Sequence, residues 1–254
     1  MGFTVIRAGD RSRTTTVWLT SHHSFSFGDH YDPSNTHHGV LLAFNEELLA
    51  TSHGFSSHRH HESEIVTWVV SGTLVHRDSA GNAGVVYPGL AQRLSAGAGV
   101  DHTERNDPWP DLPGSGTRPV HYIQMWVAPD RHGIEPSYAQ RDVTADLASG
   151  ELVAVASGDE EKDAALSIAN RAATLYAARL PTGGSVTLPS ARFTHLFVVD
   201  GTVAVSGDRP QSAVDLHLSS GDALRGTDTG GEAVTTDAGA EILVWAMDTA
   251  LGEG

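Results

Sequence analysis

The 254-residue chain contains no cysteine. That absence removes disulfides, thiolate ligands and a cysteine nucleophile together, so any metal held here must rest on nitrogen and oxygen. It leaves the redox compartment open, with the cytoplasm as the default expectation. Basic side chains are scarce: 16 Lys and Arg stand against 31 Asp and Glu, a formal charge of -15. Nucleic-acid binding draws on a basic patch, so no direct nucleic-acid partner is expected. Long apolar runs are missing as well. No stretch approaches a membrane span, and the opening MGFTVIRAGDRSR lacks the apolar core of a signal peptide, so no membrane partner is expected.

Histidine is what the chain does have. Of the 15, thirteen fall at or before His132, leaving His195 and His217 beyond it. Any histidine chemistry therefore belongs to the first half.

Short apolar runs recur between glycine-rich turns: GVLLAF (39–44), EIVTWVV (64–70), GTLVHR (72–77), GVVYP (84–88) and YIQMWVAP (122–129). The same rhythm returns after residue 170, in ATLYAARL, HLFVVDGTVAVSG and AEILVWAMD, with Asp200-Gly201 reading as a hairpin turn. This spacing favours an all-β protein over alternating β/α units. Two tandem β-barrel domains are expected: residues 1–135, then a linker over 136–168, then residues 169–254.

The stretch HRHHESEIVTWVVSG (58–72) carries three imidazoles in four positions. On a strand the side chains at i and i+2 leave the same face, so His58 and His60 project together and His61 faces away. One such pair is equally a polar strand edge. A second pair, His102 and Glu104 in AGAGVDHTERN (96–106), lies about forty residues on. Three imidazoles and a carboxylate suit a divalent first-row metal and leave coordination positions open, as a catalytic site requires.

HxH followed by a glutamate and a strand-closing glycine (His58, His60, Glu64, Gly72), then GxGxxHxxxN (Gly97, Gly99, His102, Asn106), resembles the two signature motifs of the cupin superfamily. Gly97 stands where the second motif usually begins with proline. WLTSHHSFSFGDHYDP (18–33), HRHHESEIVTWVVSGTLVHRDSAGNAG (58–84), SAGAGVDHTE (95–104) and YIQMWVAPDRHGIEPSY (122–138) resemble, more narrowly, pirin-family bicupins, which include bacterial quercetin 2,3-dioxygenase-like proteins. The resemblance covers most of the first half. The C-terminal half offers His195 alone in FTHLFVVDGTV and no histidine–glutamate pair in LSSGDALRG, so a cupin-like barrel without metal ligands is expected there, packing on the first and roofing its pocket. The resemblance implies two jelly-roll-like cupin barrels and metal ligands at His58, His60, His102 and Glu104. It implies one divalent transition metal, iron first, with nickel, cobalt, manganese, copper or zinc as alternatives. The implied activity is dioxygen-dependent cleavage of a flavonol such as quercetin, with Glu104 as the catalytic base. The rival implication is a metal-carrying regulatory protein, a transcriptional cofactor or redox sensor, with a protein partner and no turnover.

Other residues carry weaker expectations. Glu64 is a candidate to support the ligands from behind. His22, His23, His30, His37, His38, His53 and His76 read as hydrogen-bonded surface histidines, although one of the first three could line a pocket. Trp18, Trp68 and Trp126 lie in apolar runs and read as core.

Overall fold

A computed structural model describes residues 2–209 and 212–253. They form two jelly-roll-like β-sandwiches, with a single α-helical turn at Thr144–Leu147 and a 3-10 turn at Ala8–Asp10. The first sandwich pairs a seven-stranded sheet with a four-stranded one. The larger sheet runs, in order, Ser137–Asp142, Leu90–Ser95, Glu64–Ser71, Val120–Val127, Leu41–Leu49, Leu19–His23 and Ser12–Thr15. The smaller runs Gly54–His60, Val100–Arg105, Leu74–Asp78 and Ala83–Val86. The main path of the C-terminal sheet is Gly2–Ile6, Ala223–Thr229, Ala191–Arg209, Ala240–Met247, Ala173–Leu180, Val153–Ser157 and Leu166–Ser167.

Alternation along the central strands explains how the parts stack. In VHYIQMWV (120–127), Ile123 and Met125 face the C-terminal half, while Tyr122 and Val120 face the four-stranded sheet. Phe44, Val66 and Trp68 join the outward face and pack in one buried cluster with Phe197, Leu243, Trp245 and Met247. Trp245 Nε1–H donates to Met125 Sδ at 3.2 Å, and Trp68 Nε1–H to Glu241 Oε1 at 2.7 Å, so each buried indole finds a partner across this seam. The inward face encloses Leu49, Val69, Leu74, Val86 and Tyr122 between the two sheets of the first sandwich.

Three expectations about organisation change. Residues 136–168 are not a free linker. Ser137–Asp142 pairs with Leu90–Ser95 in the first sandwich, and Val153–Ser157 pairs with Ala173–Leu180 in the second. SYAQRD lacks the apolar alternation that marks a half-buried strand, because as an edge strand it is covered incompletely. At the other end, Gly2–Ile6 pairs with Ala223–Thr229, so the first residues belong to the C-terminal sheet. Finally, Asp200-Gly201 is no hairpin. Ala191–Arg209 is continuous, bulged between Val198 and Asp200, and Gly201 takes φ 86°. The bulge lets one strand pair with Ala240–Met247 first and with Ser212–Ser219 afterwards. No helix among the described residues is long and apolar enough to cross a membrane.

Candidate metal centre and its cavity

The adjacent strands Gly54–His60 and Val100–Arg105 set His102 directly opposite His58, while Glu104, beyond a bulge, pairs with Phe55 and stands with His102 and His76 rather than with His58 and His60. Ring centroids are 4.4 Å apart for His58 and His102, and 4.9 Å for His60 with each of them. Their candidate ligand atoms all fall within 4.8 Å of one another. His76, His102 and Glu104 make a second trio within the same limit, so His102 joins two groups able to bind a metal ion.

The hydrogen bonds fit these residues to a cation. His58 Nδ1–H donates to the Ser56 carbonyl at 2.8 Å, which leaves Nε2 its lone pair. His60 Nε2 and His102 Nε2 are buried and have no hydrogen-bond partner among the described residues. His76 Nε2–H points to Asp78 Oδ2 at 3.2 Å, so His76 Nδ1 is free to accept from His102 Nδ1–H at 3.4 Å. This Asp78–His76–His102 chain fixes the His102 tautomer with Nε2 unprotonated, as support behind a ligand commonly does. Burial, reinforced by the neighbouring imidazoles, lowers the pKa of His60 to about 4 and that of His102 to about 3. Both rings are then neutral at pH 7, the form a metal needs.

Glu104, 1% exposed, is oriented from the facing sheet. Gln124 Nε2 donates to both its oxygens, at 2.7 and 2.8 Å, while Gln124 Oε1 accepts from Trp126 Nε1–H at 3.0 Å. The indole fixes the amide, and the amide fixes the carboxylate. Beside these groups lies a cavity of about 350 Å³ walled mostly by apolar surface, including Leu19, Phe27, Phe55 and Trp126. Among the described residues, all that line it lie between Thr14 and Trp126, so the C-terminal half backs the sheet from behind rather than roofing the pocket.

Several single-residue expectations need revision. Trp126 lines the cavity, edge-on to His60 at 4.7 Å between ring centroids, whereas Trp68 is wholly buried core. His76 is fully buried, not on the surface, while His23 is the one of the first three histidines expected at a pocket that stands in the cavity wall, with His22 and His30 outside it. His38 reaches the Thr194 and Gly226 carbonyls of the other sandwich. Glu64 is buried but does not line the cavity; its carboxylate accepts from Ser95 Oγ–H at 2.7 Å. Its parity with His60 fails because residues 61–63 leave the strand, with Glu62 at φ 48°, and Glu64 restarts in the opposite sheet. His61 is exposed, and His195 is buried against the Phe25 and Phe44 rings. Gly97 takes φ 45°, which proline cannot adopt, so the departure from the usual motif suits this turn.

Cupin sandwiches in tandem, the first carrying histidines and a glutamate on adjacent strands beside a cavity, define a cupin with side-chain groups able to bind a metal. The Pirin family model matches residues 6–127. A Mycobacterium bovis protein provisionally named quercetin 2,3-dioxygenase is 49% identical over 247 residues, covering 97% of this chain and 96% of its own. The quercetin 2,3-dioxygenase of Escherichia coli K12 is 30% identical over 240 residues, covering 94% and 96%. The crystal structure of YhhW from E. coli superposes with a TM-score of 0.85 at 28% identity, covering 99% of this chain and 100% of that one. The bacterial pirin YhhW in complex with nickel(II) gives 0.84 at 28% identity, covering 98% and 100%. The chain belongs to the pirin family of cupins.

Proposed function

We propose that this protein is a metal-dependent dioxygenase that cleaves a flavonol such as quercetin with O2, acting in the cytoplasm. The observation that carries the proposal is the apolar, aromatic-walled cavity opening beside neutral imidazoles whose Nε2 atoms lack protein partners. His58, His60, His102 and Glu104 would hold the metal, with iron as the first candidate and nickel, cobalt, manganese, copper or zinc as alternatives. Bound there, the metal would supply Lewis acidity toward the flavonol hydroxyl.

The remaining work falls to the chain. Phe27, Phe55 and Trp126 wall a space suited to a planar ring system and exclude water from it. Glu104 takes the hydroxyl proton on a carboxylate oxygen, held in position by Gln124 and, through it, Trp126. Ring opening with O2 then yields carbon monoxide and a depside. A regulator without turnover has no need of such a cavity beside its metal. The names of the 49% and 30% identical relatives point the same way.

The test is oxygen consumption by metal-loaded protein given quercetin, with His58→Ala as the paired control. Turnover that disappears in the variant is the expected result. No turnover with any of several first-row metals would overturn the proposal and put the metal-carrying regulator in its place.

A further inference from the structure

The cavity has a second polar wall. Opposite the imidazoles, its wall carries Ser21 and His23 from one strand and Asn45 and Glu47 from the next. Strand register fixes where they stand. His23 pairs with Asn45, and Asn45 with Gln124, the residue that holds Glu104. Ser21 pairs with Glu47 one step further along the same face. Glu47 is thus the diagonal neighbour of Gln124, about 7–8 Å away between Cα atoms.

Most of this wall is internally satisfied. Thr14 Oγ1–H donates to His23 Nε2 at 3.0 Å, and His23 Nδ1–H donates to Asn45 Oδ1 at 3.0 Å. Ser21 Oγ–H donates to Glu47 Oε1 at 2.9 Å. Glu47 Oε2 is the exception: among the described residues it has no partner, on a residue only 5% exposed. Burial, with the nearby charges of Glu104 and Glu46 adding and the Ser21 hydrogen bond opposing, raises this carboxyl to about 8. A neutral carboxylic acid can both donate and accept, and so can an alcohol or phenol. Among the described residues no lysine or arginine lines the cavity, so away from a bound metal an anionic group would find no counter-charge there.

We propose that Glu47, steadied by Ser21, binds a ligand hydroxyl other than the metal-chelating one. The cavity then selects polyhydroxylated planar ring systems over analogues that carry the chelating hydroxyl alone. The inference rests on the cavity being the ligand site of the proposed dioxygenase. A site built to pair with a hydroxyl rejects the analogue lacking it, because its own polar group is left unpaired.

The experiment is anaerobic equilibrium binding to metal-loaded protein, read by quenching of tryptophan fluorescence, with two probes. Quercetin carries the chelating hydroxy-ketone and further ring hydroxyls; 3-hydroxyflavone carries the chelating group alone. Wild type should prefer quercetin by about tenfold or more. Glu47→Leu should weaken quercetin by about tenfold and leave 3-hydroxyflavone within about threefold. Glu47→Gln, which keeps a donor and an acceptor, should retain most of the preference, and Ser21→Ala should lose part of it. Unchanged metal content and circular dichroism would confirm that each variant folds. Equal affinities in wild type, equal loss of both probes in Glu47→Leu, or no binding of quercetin would each overturn the inference. Admitting air and recording oxygen uptake separates the two proposals. Hydroxyl preference without turnover sinks the dioxygenase and keeps the Glu47 site; turnover without preference does the reverse.

Discussion

Glu47→Gln should make the protein more stable at pH 8 than wild type, by an amount that vanishes at pH 4.5. The folded carboxyl is raised to about 8 from an ordinary 4.5, chiefly by burial. For a group raised on folding, the stabilising contribution is fully present below the unfolded pKa and is lost as pH rises through the folded one. Between pH 4.5 and about 8 the unfolded chain ionises this carboxyl while the folded chain resists. Each pH unit then removes about 1.4 kcal/mol of wild-type stability. Over the full window the ceiling is about 5 kcal/mol; water entry and relaxation around an ionised buried group reduce it to about 2–4 kcal/mol. Glutamine cannot ionise and still accepts the Ser21 hydrogen bond through Oε1. Urea denaturation of metal-free wild type and variant at pH 5, 6, 7 and 8 gives the difference directly, because titrating groups not coupled to Glu47 cancel. A difference that stays flat within about 0.5 kcal/mol would refute the argument: Glu47 would then be ionised in the fold.

Two further outcomes follow from the imidazole side. Asp78→Asn should weaken metal binding about 10–100-fold, because the asparagine amide can present N–H to His76 and reverse the tautomers that leave His102 Nε2 its lone pair; a metal titration showing unchanged affinity would exclude that chain as support. His60 and His102 fold with pKa values lowered to about 4 and about 3, so their contribution is present above the usual 6.5 and is lost as pH falls toward 4. Metal-free His102→Gln should therefore lose less thermal stability than wild type between pH 6.5 and 4, and identical acid limbs would count against neutral buried imidazoles.

The strands that carry the candidate ligands were legible because each puts two donors at i, i+2 in a short run bounded by turns. Period two is a local property, and His58, His60, His102 and Glu104 need only local extension to declare it. The same rule failed at Glu64, where the positive φ of Glu62 ends one strand and another begins in the facing sheet. Parity carries no information across such a break. The supporting residues were harder to see. Gln124 and Trp126 lie in an apolar run, and only the partner across the sandwich decides that one holds Glu104 and the other walls the cavity. A signal was present in FNEELL (44–49), three polar residues inside an otherwise apolar strand. Asn45 and Glu47 are the two of those that face inward and are buried, at 2% and 5% exposure. His76 was misplaced for the opposite reason: a histidine beside Arg77 and Asp78 looks solvated, and its burial depends on the stacked ring of Tyr138, sixty residues away in sequence.

The seven-stranded sheet gives the two sandwiches unequal tasks. Its inward face must carry Asn45, Glu47, Gln124 and the buried residues around Glu104, polar groups that weaken a core wherever a partner is missing. Its outward face carries Phe44, Trp68, Ile123 and Met125, pressed against Phe197, Leu243 and Trp245 of the second sandwich. An apolar contact of that kind is non-directional and large, so it can hold the sheet while the other face is left free for chemistry. The strand Gly2–Ile6 adds a second tie, running from the first residues into the far edge of the C-terminal sheet. His195 fits this role: buried against the Phe25 and Phe44 rings, with neither ring nitrogen paired among the described residues, it packs the seam, and the C-terminal half backs a site it does not line.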